Sequence, residues 1–223
     1  MYQEFFGANV VIVAQQFNPS IVSQLWLVRH GLVAEEDFQP GSLFMDGLVQ
    51  ACTRRFGLLV TPQQLQLVPL VPEEEQEELI VQTVGTLVRT LPHTPFRALG
   101  VNFTWHLVPD DGDVHALTRR LFYIPRRPVF SDFDVPDADF GAYFSKNIFG
   151  YRLKLDVKPV IMPQTEESEE PPESRLQMLF NYHADLPQGD EAAETIVGLL
   201  GHWREAAEES RRIAENIPDG GNA

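Results

Sequence analysis

The stretch FRALGVNFTWHLV, Phe96 to Val108, alternates without a break: Leu99, Val101, Phe103, Trp105 and Leu107 fall on one side, and Ala98, Gly100, Asn102, Thr104 and His106 on the other. Side chains of a strand point alternately to its two faces, so this pattern requires a sheet with one face against a core and one polar face. Parallel sheets are covered on both faces, whereas antiparallel sheets tolerate a wet one, so the pattern selects an antiparallel sheet. YRLKLDVKPV (Tyr151 to Val160) repeats it, with Tyr151, Leu153, Leu155 and Val157 opposite Arg152, Lys154, Asp156 and Lys158, a wet and mildly basic face. RLQMLFNYH (Arg175 to His183) reads as its antiparallel partner. The two are joined by TEESEEPPES (Thr165 to Ser174), whose repelling charges and lack of apolar residues predict a mobile loop.

Other segments fit the same frame. Ala8 to Gln15 is a Val/Ile run expected to be a central strand covered on both faces. Ser23 to Val28 reads as a further strand and Gly31 to Ser42 as a loop. Leu43 to Phe56 fits either helix or strand, with strand preferred because Phe56 to Val60 and Leu65 to Val68 follow as a hairpin about Thr61-Pro62-Gln63-Gln64. Pro72 and the run EEEQEE open a helix whose apolar face carries Ile80, Val84, Leu87, Val88 and Leu91, its glutamates forming a solvated cap. Asp113 caps a helix reaching about Phe122 with Val114, Leu117 and Leu121 inward. A last helix spans about Asp190 to Ile213, with Ile196, Leu200, Trp203, Ala207 and Ser210 on one stripe, before a frayed tail.

The fold expected is therefore α+β: one or two mainly antiparallel sheets of about seven or eight strands, with two long helices packed on a sheet face. Residues 1–123 form an N-terminal α+β half, and 124–141 a connection rich in Pro and Asp with Phe130, Phe133 and Phe140 tucked in. Residues 142–223 supply a C-terminal β-hairpin and long helix packed with the first half as one unit.

Charge narrows the partners. Thirty-two acidic against 17 basic residues give a net charge of −15, which repels phosphate backbones and anionic membranes. Cys52 is the only cysteine, so no intramolecular disulfide or thiolate cluster can form, and it is expected to be a buried structural thiol in a reducing compartment. The first residues lack a basic leader, and the run Val10 to Ala14 is far shorter than the ~20 residues of a membrane span, so a cytoplasmic location is expected.

QLWLVRHGLV (Gln24 to Val33) places Arg29-His30-Gly31 after an apolar run. This resembles the histidine phosphatase superfamily, where such a strand ends in Arg-His-Gly. The resemblance implies His30 as phosphorylated nucleophile, Arg29 as phosphate ligand and a doubly wound α/β fold with parallel strands. Leu32-Val33-Ala34 stand where that family continues with a polar residue and Thr, or with an Arg-x-Pro extension, and His183 with Asp185 offers a second His and acid. Read from the residues alone, His30 is a histidine at a strand end.

A polar row is the second constellation. Antiparallel pairing would bring Asn102, Thr104 and His106 beside Asn181 and His183, as a hydrogen-bonded sheet face or a binding groove. As metal ligands these would need a third donor, and His115 or Asp185 are distant. Asp132, Asp134, Asp137 and Asp139 lie close in sequence, without the Gly and terminal Glu of a helix-loop-helix calcium loop. Gly-rich phosphate loops, His-Glu-x-x-His and Gly-x-Ser-x-Gly do not occur. The expected function is a non-catalytic subunit that recognises another protein, in a hetero- or homo-oligomer, without metal or cofactor. The alternative is phosphoester hydrolysis through Arg29-His30-Gly31.

Overall fold

A computed structural model describes residues 1–162, 173–189 and 191–217. Within them a single antiparallel sheet holds nine strands: β1 (Tyr2–Ala14), β2 (Leu43–Met45), β3 (Leu48–Cys52), β4 (Phe56–Val60), β5 (Gln64–Pro69), β6 (Phe96–Val108), β7 (Ala142–Ile148), β8 (Tyr151–Ile161) and β9 (Ser174–Asp185). Their order across the sheet is β2-β3-β4-β5-β1-β6-β9-β8-β7. The α+β expectation holds: Leu43 to Phe56, read as strand in preference to helix, contains the β2–β3 hairpin, and β7 is added to the strands read from the sequence. The acidic segment expected to be mobile lies, but for Glu173 and Ser174, outside the described residues, as does the tail from residue 218.

β1 is central, as its Val/Ile run predicts, but among the described residues it is covered on one face only. Val10, Ile12 and Ala14 are buried while Val11 is half-buried and Val13 is 39 % exposed. An unbroken apolar run therefore does not mean two covering layers here.

The helices α1 (Gln24–Arg29), α2 (Glu73–Thr90), α3 (Val114–Phe122), α4 (Pro128–Ser131), α5 (Glu191–Leu200) and α6 (Trp203–Asn216) complete the described fold. The alternating apolar residues of β6 and β9 join Leu79, Ile80, Val84 and Leu87 of α2, Ile196 and Leu200 of α5 and Trp203 of α6 in one core, to which α1 adds Leu27 and α3 adds Leu117. Polar tips fix the helices to this face: Tyr182 Oη donates to the Ala206 carbonyl (2.9 Å), Tyr151 Oη to that of Leu199 (2.7 Å), and Trp105 Nε1 to Ser210 Oγ (3.2 Å). Burial raises the pKa of both tyrosines, so they remain donors. The glutamates opening α2 are more than a solvated cap, since Glu73 pairs with Arg211 and Glu77 lies 3.5 Å from Arg204.

Three further expectations are corrected. Ser23 to Val28 is not a strand: Ser23 Oγ accepts the Trp26 amide and caps the short helix α1. The last helix is two, because the chain turns at Gly201-His202 between α5 and α6, although Ile196, Leu200, Trp203, Ala207 and Ser210 are all buried. In the 124–141 connection Phe140 is tucked in beneath Tyr123 and Phe130, but Phe133 is 54 % exposed.

Candidate functional site: the open face of the sheet

The face opposite the helices carries the polar members of the alternating strands. Its apolar residues Val11, Leu59 and Leu179 stand outside the core, half-buried only by their neighbours. All five residues of the expected row lie on this face. The register sets Asn9 of β1 opposite Asn102 of β6, Asn102 opposite Asn181 of β9, Asn181 opposite Lys154 of β8, and Lys154 opposite Ser145 of β7. A single line of polar side chains thus crosses five strands. Asn181 Nδ2 donates to Asn102 Oδ1 (2.7 Å), and Asn102 Nδ2 donates to Asn9 Oδ1 (2.9 Å), so the amides form a directional ladder.

A second line joins Glu4, His106, Gln177 and Lys158. His106 is fully buried beneath Phe6, whose ring stacks on it at 4.4 Å. Phe6 reaches that position because β1 bulges between Phe5 and Gly7. The Gln177 amide lies 3.4 Å from His106 Nε2, and Nδ1 is enclosed without a partner among the described residues. Desolvation, then the charge of Arg175, lowers the pKa of His106 and favours the neutral ring. Arg175 itself bridges Glu4 (2.5 Å) and Glu173 (2.6 Å).

His183 sits on a third line, opposite Gly100 and Arg152, with Nε2 3.3 Å from Asp185 Oδ1. Six residues along β9 separate it from the partner of His106, so the two histidines stand about 20 Å apart. They cannot share a metal ion. Among the described residues no three His, Cys, Asp or Glu side chains converge for one. His115 Nδ1 lies 2.6 Å from Asp139 Oδ1 and Arg119 pairs with Asp134 at 2.8 Å, which engages two of the clustered aspartates with neighbouring side chains.

Charge divides the face. On β2 to β5 it shows Leu43, Met45, Gln50, Leu59, Gln64, Gln66 and Val68, with the half-buried Cys52 as its one titratable group. Cys52 is thus not the buried thiol expected. The β8 and β9 side carries Arg152, Lys154, Lys158, Arg175 and His183, together with Asp156 and Asp185. The chain's three lysines, Lys146, Lys154 and Lys158, all belong to the β7–β8 hairpin. Lys158 pairs with Asp156 (2.7 Å) and Lys146 with Glu209 (2.5 Å) on the helix side. Arg152 instead leans toward β7, donating to Asn147 Oδ1 (3.3 Å) and to Ser145 Oγ. No carboxylate among the described residues forms an ion pair with Arg152 or Lys154.

Arg29-His30-Gly31 lies apart, as the end of α1. Gly31 N donates to Val28 O (3.0 Å) and Leu32 N to Leu27 O (3.0 Å), the paired bonds of a Schellman terminus, with Gly31 at φ 68°. His30 is the C-cap. Its Nδ1 meets the Trp26 carbonyl at 2.8 Å, and its exposed ring lies 4.1 Å from that of Trp26. The sheet is antiparallel throughout, not the doubly wound parallel sheet that the resemblance implied.

The sequence reading missed Asn9, Gln177, Phe6 and the leaning Arg152. Asn9 was signalled as the lone polar residue among Ala8 to Ala14, but its place in the ladder depends on a register that the sequence does not state. Compared with known proteins, the chain matches no family model, no curated protein and no solved structure.

Proposed function

We propose that the chain is a non-catalytic binding subunit that recognises another protein through the open sheet face. The observation that carries this reading is the charge on that face: in a chain of net charge −15, Arg152 and Lys154 stand on it without an ion-pair partner among the described residues, beside the polar amide ladder. Rigid strands hold those groups in place, which suits recognition because little entropy is lost on docking. Recognition is favoured over catalysis because the ladder amides satisfy one another, Asn102 both donating and accepting, while the two histidines stand far apart.

Partner capture with three forms of the chain tests it. Thr104→Arg with His183→Glu alters the face without touching the amide ladder, and Glu208→Arg alters the exposed side of α6 as a control. A protein retained by the wild type and by the control, but lost from the face variant at an unchanged melting temperature, is the expected result. Retention by all three forms would remove the face from the account.

A further inference from the structure

Resting on the binding reading above, we propose that an acidic extended segment of another protein adds to β7 as a tenth strand. β7 is an edge of the sheet, so one side of its backbone has no strand partner among the described residues. The opposite edge, β2, is only 3 residues long, while β7 has 7. On the helix side of β7 an apolar groove of about 380 Å³ runs between Phe144, Leu153, Leu155, Ile213 and Ile217. On the open side, Arg152 crosses toward β7 on Asn147 and Ser145, with Lys154 opposite Ser145.

An added strand alternates its side chains between these two sides. One set falls over the groove and calls for apolar residues. The other lies two strand spacings, about 10 Å, from the β8 backbone, where a glutamate and a lysine or arginine meet by extending toward each other. Charge complementarity therefore selects acidic residues at alternate positions. A second copy of this chain pairing through its own β7 would bring Ser145, Asn147 and Tyr143 to that side, leaving Arg152 and Lys154 without carboxylates.

The test uses the full chain and a fluorescein-labelled peptide of about eight residues alternating glutamate and valine, read by fluorescence anisotropy. The glutamate peptide is expected to bind at least about tenfold more tightly than its lysine counterpart, and Arg152→Glu with Lys154→Glu to erase that preference. Ile213→Ser should weaken both peptides. N-methylation of one alternate set of peptide amides should abolish binding while methylation of the other set leaves it, since only one set faces the edge. Equal affinity for the two peptides, no binding of either, or indifference to methylation in both registers would overturn the inference. So would a peptide-free dimer in sedimentation velocity that Phe144→Glu disperses, because β7 would then be occupied by a second copy. If the peptide fails while capture still depends on Thr104 and His183, strand addition falls and the binding reading stands. If capture is also indifferent to the face, both fall.

Discussion

Asn181 stands directly opposite Asn102 across the β6–β9 ladder and donates its amide to it at 2.7 Å. Asn102 passes the polarity on to Asn9, so it is the one member with two bonds in the line. Asn102→Ala should cost about 1–2 kcal/mol and Asn9→Ala about 1 kcal/mol, the net worth of two bonds and one. A double-mutant cycle of Asn102→Ala and Asn181→Ala by urea unfolding should return a coupling of about 0.5–1 kcal/mol. Strict additivity would show that the ladder is not energetically connected.

His106 makes stability depend on pH. Its folded pKa lies below the usual value of about 6.5 because burial penalises the charged ring. Below that usual value the unfolded chain therefore binds a proton that the folded chain refuses, and stability falls as pH drops through the interval between the two. Its neighbours Glu4 and Glu173 oppose this and Arg175 adds to it. Denaturant midpoints at about pH 7.5 and about pH 5 should draw together in His106→Gln relative to the wild type. An identical shift in both proteins would contradict a refused proton.

Glu209 acts at lower pH. Hydrogen bonds from Arg212 first, then Lys146, hold its pKa at about 2. A depressed carboxylate contributes stability above its unfolded pKa, and that contribution is lost as pH falls from about 4.5 toward 2. Glu209→Gln should flatten this acid limb. Because Lys146–Glu209 ties β7 to α6, the same change should speed amide exchange across Ala142–Ile148. Unchanged exchange there would mean that β7 is held by pairing with β8 alone.

The Arg29-His30-Gly31 terminus yields a contrast of magnitudes. His30→Ala removes a cap contact and a tilted ring contact with Trp26 and should cost about 0.5–1 kcal/mol, whereas Gly31→Ala, at φ 68°, should cost about 1 kcal/mol or more. Any hydrolysis of p-nitrophenyl phosphate should be the same in the wild type and in His30→Ala. Turnover that disappears in both His30→Ala and Arg29→Ala would replace the capping role with a catalytic one.

Much of this architecture was legible because the long strands alternate cleanly: the burial of Leu99, Val101, Phe103 and Trp105 against half-buried Asn102 and Thr104 follows from a period of two. That Asn102 and Asn181 lie on polar faces was readable, but that they stand opposite each other was not, since β6 and β9 are far apart in sequence and no short turn fixes their register. β7 escaped notice because an edge strand exposes residues on both faces, Tyr143 and Phe144 alike, so no alternation marks it. Its hairpin turn is Phe149-Gly150, both at positive φ, in place of the Asn-Gly that usually announces such turns. Phe149 is accommodated by stacking on His202 at 5.9 Å. α1 read as a strand because its apolar run is short; the signals that settle it are Ser23 and Gly31 at its two ends.

The placement of β9 between β6 and β8 has a cost during synthesis. Six strands, β2 to β5 with β1 and β6, can assemble once Val108 has left the ribosome, and β6 is then the outermost. Its ladder of 13 residues, with Leu99, Val101, Phe103 and Trp105 not yet sealed by α5 and α6, stays open until Ser174–Asp185 emerges. At ordinary elongation rates that interval lasts on the order of seconds, long enough for two nascent chains to pair edge to edge. A chain ended at residue 123 should therefore aggregate where the whole chain stays dispersed, and chaperone demand should fall on the second half of translation. Light scattering of the two forms after dilution from denaturant checks this, and a dispersed short form would show that β6 protects its own edge.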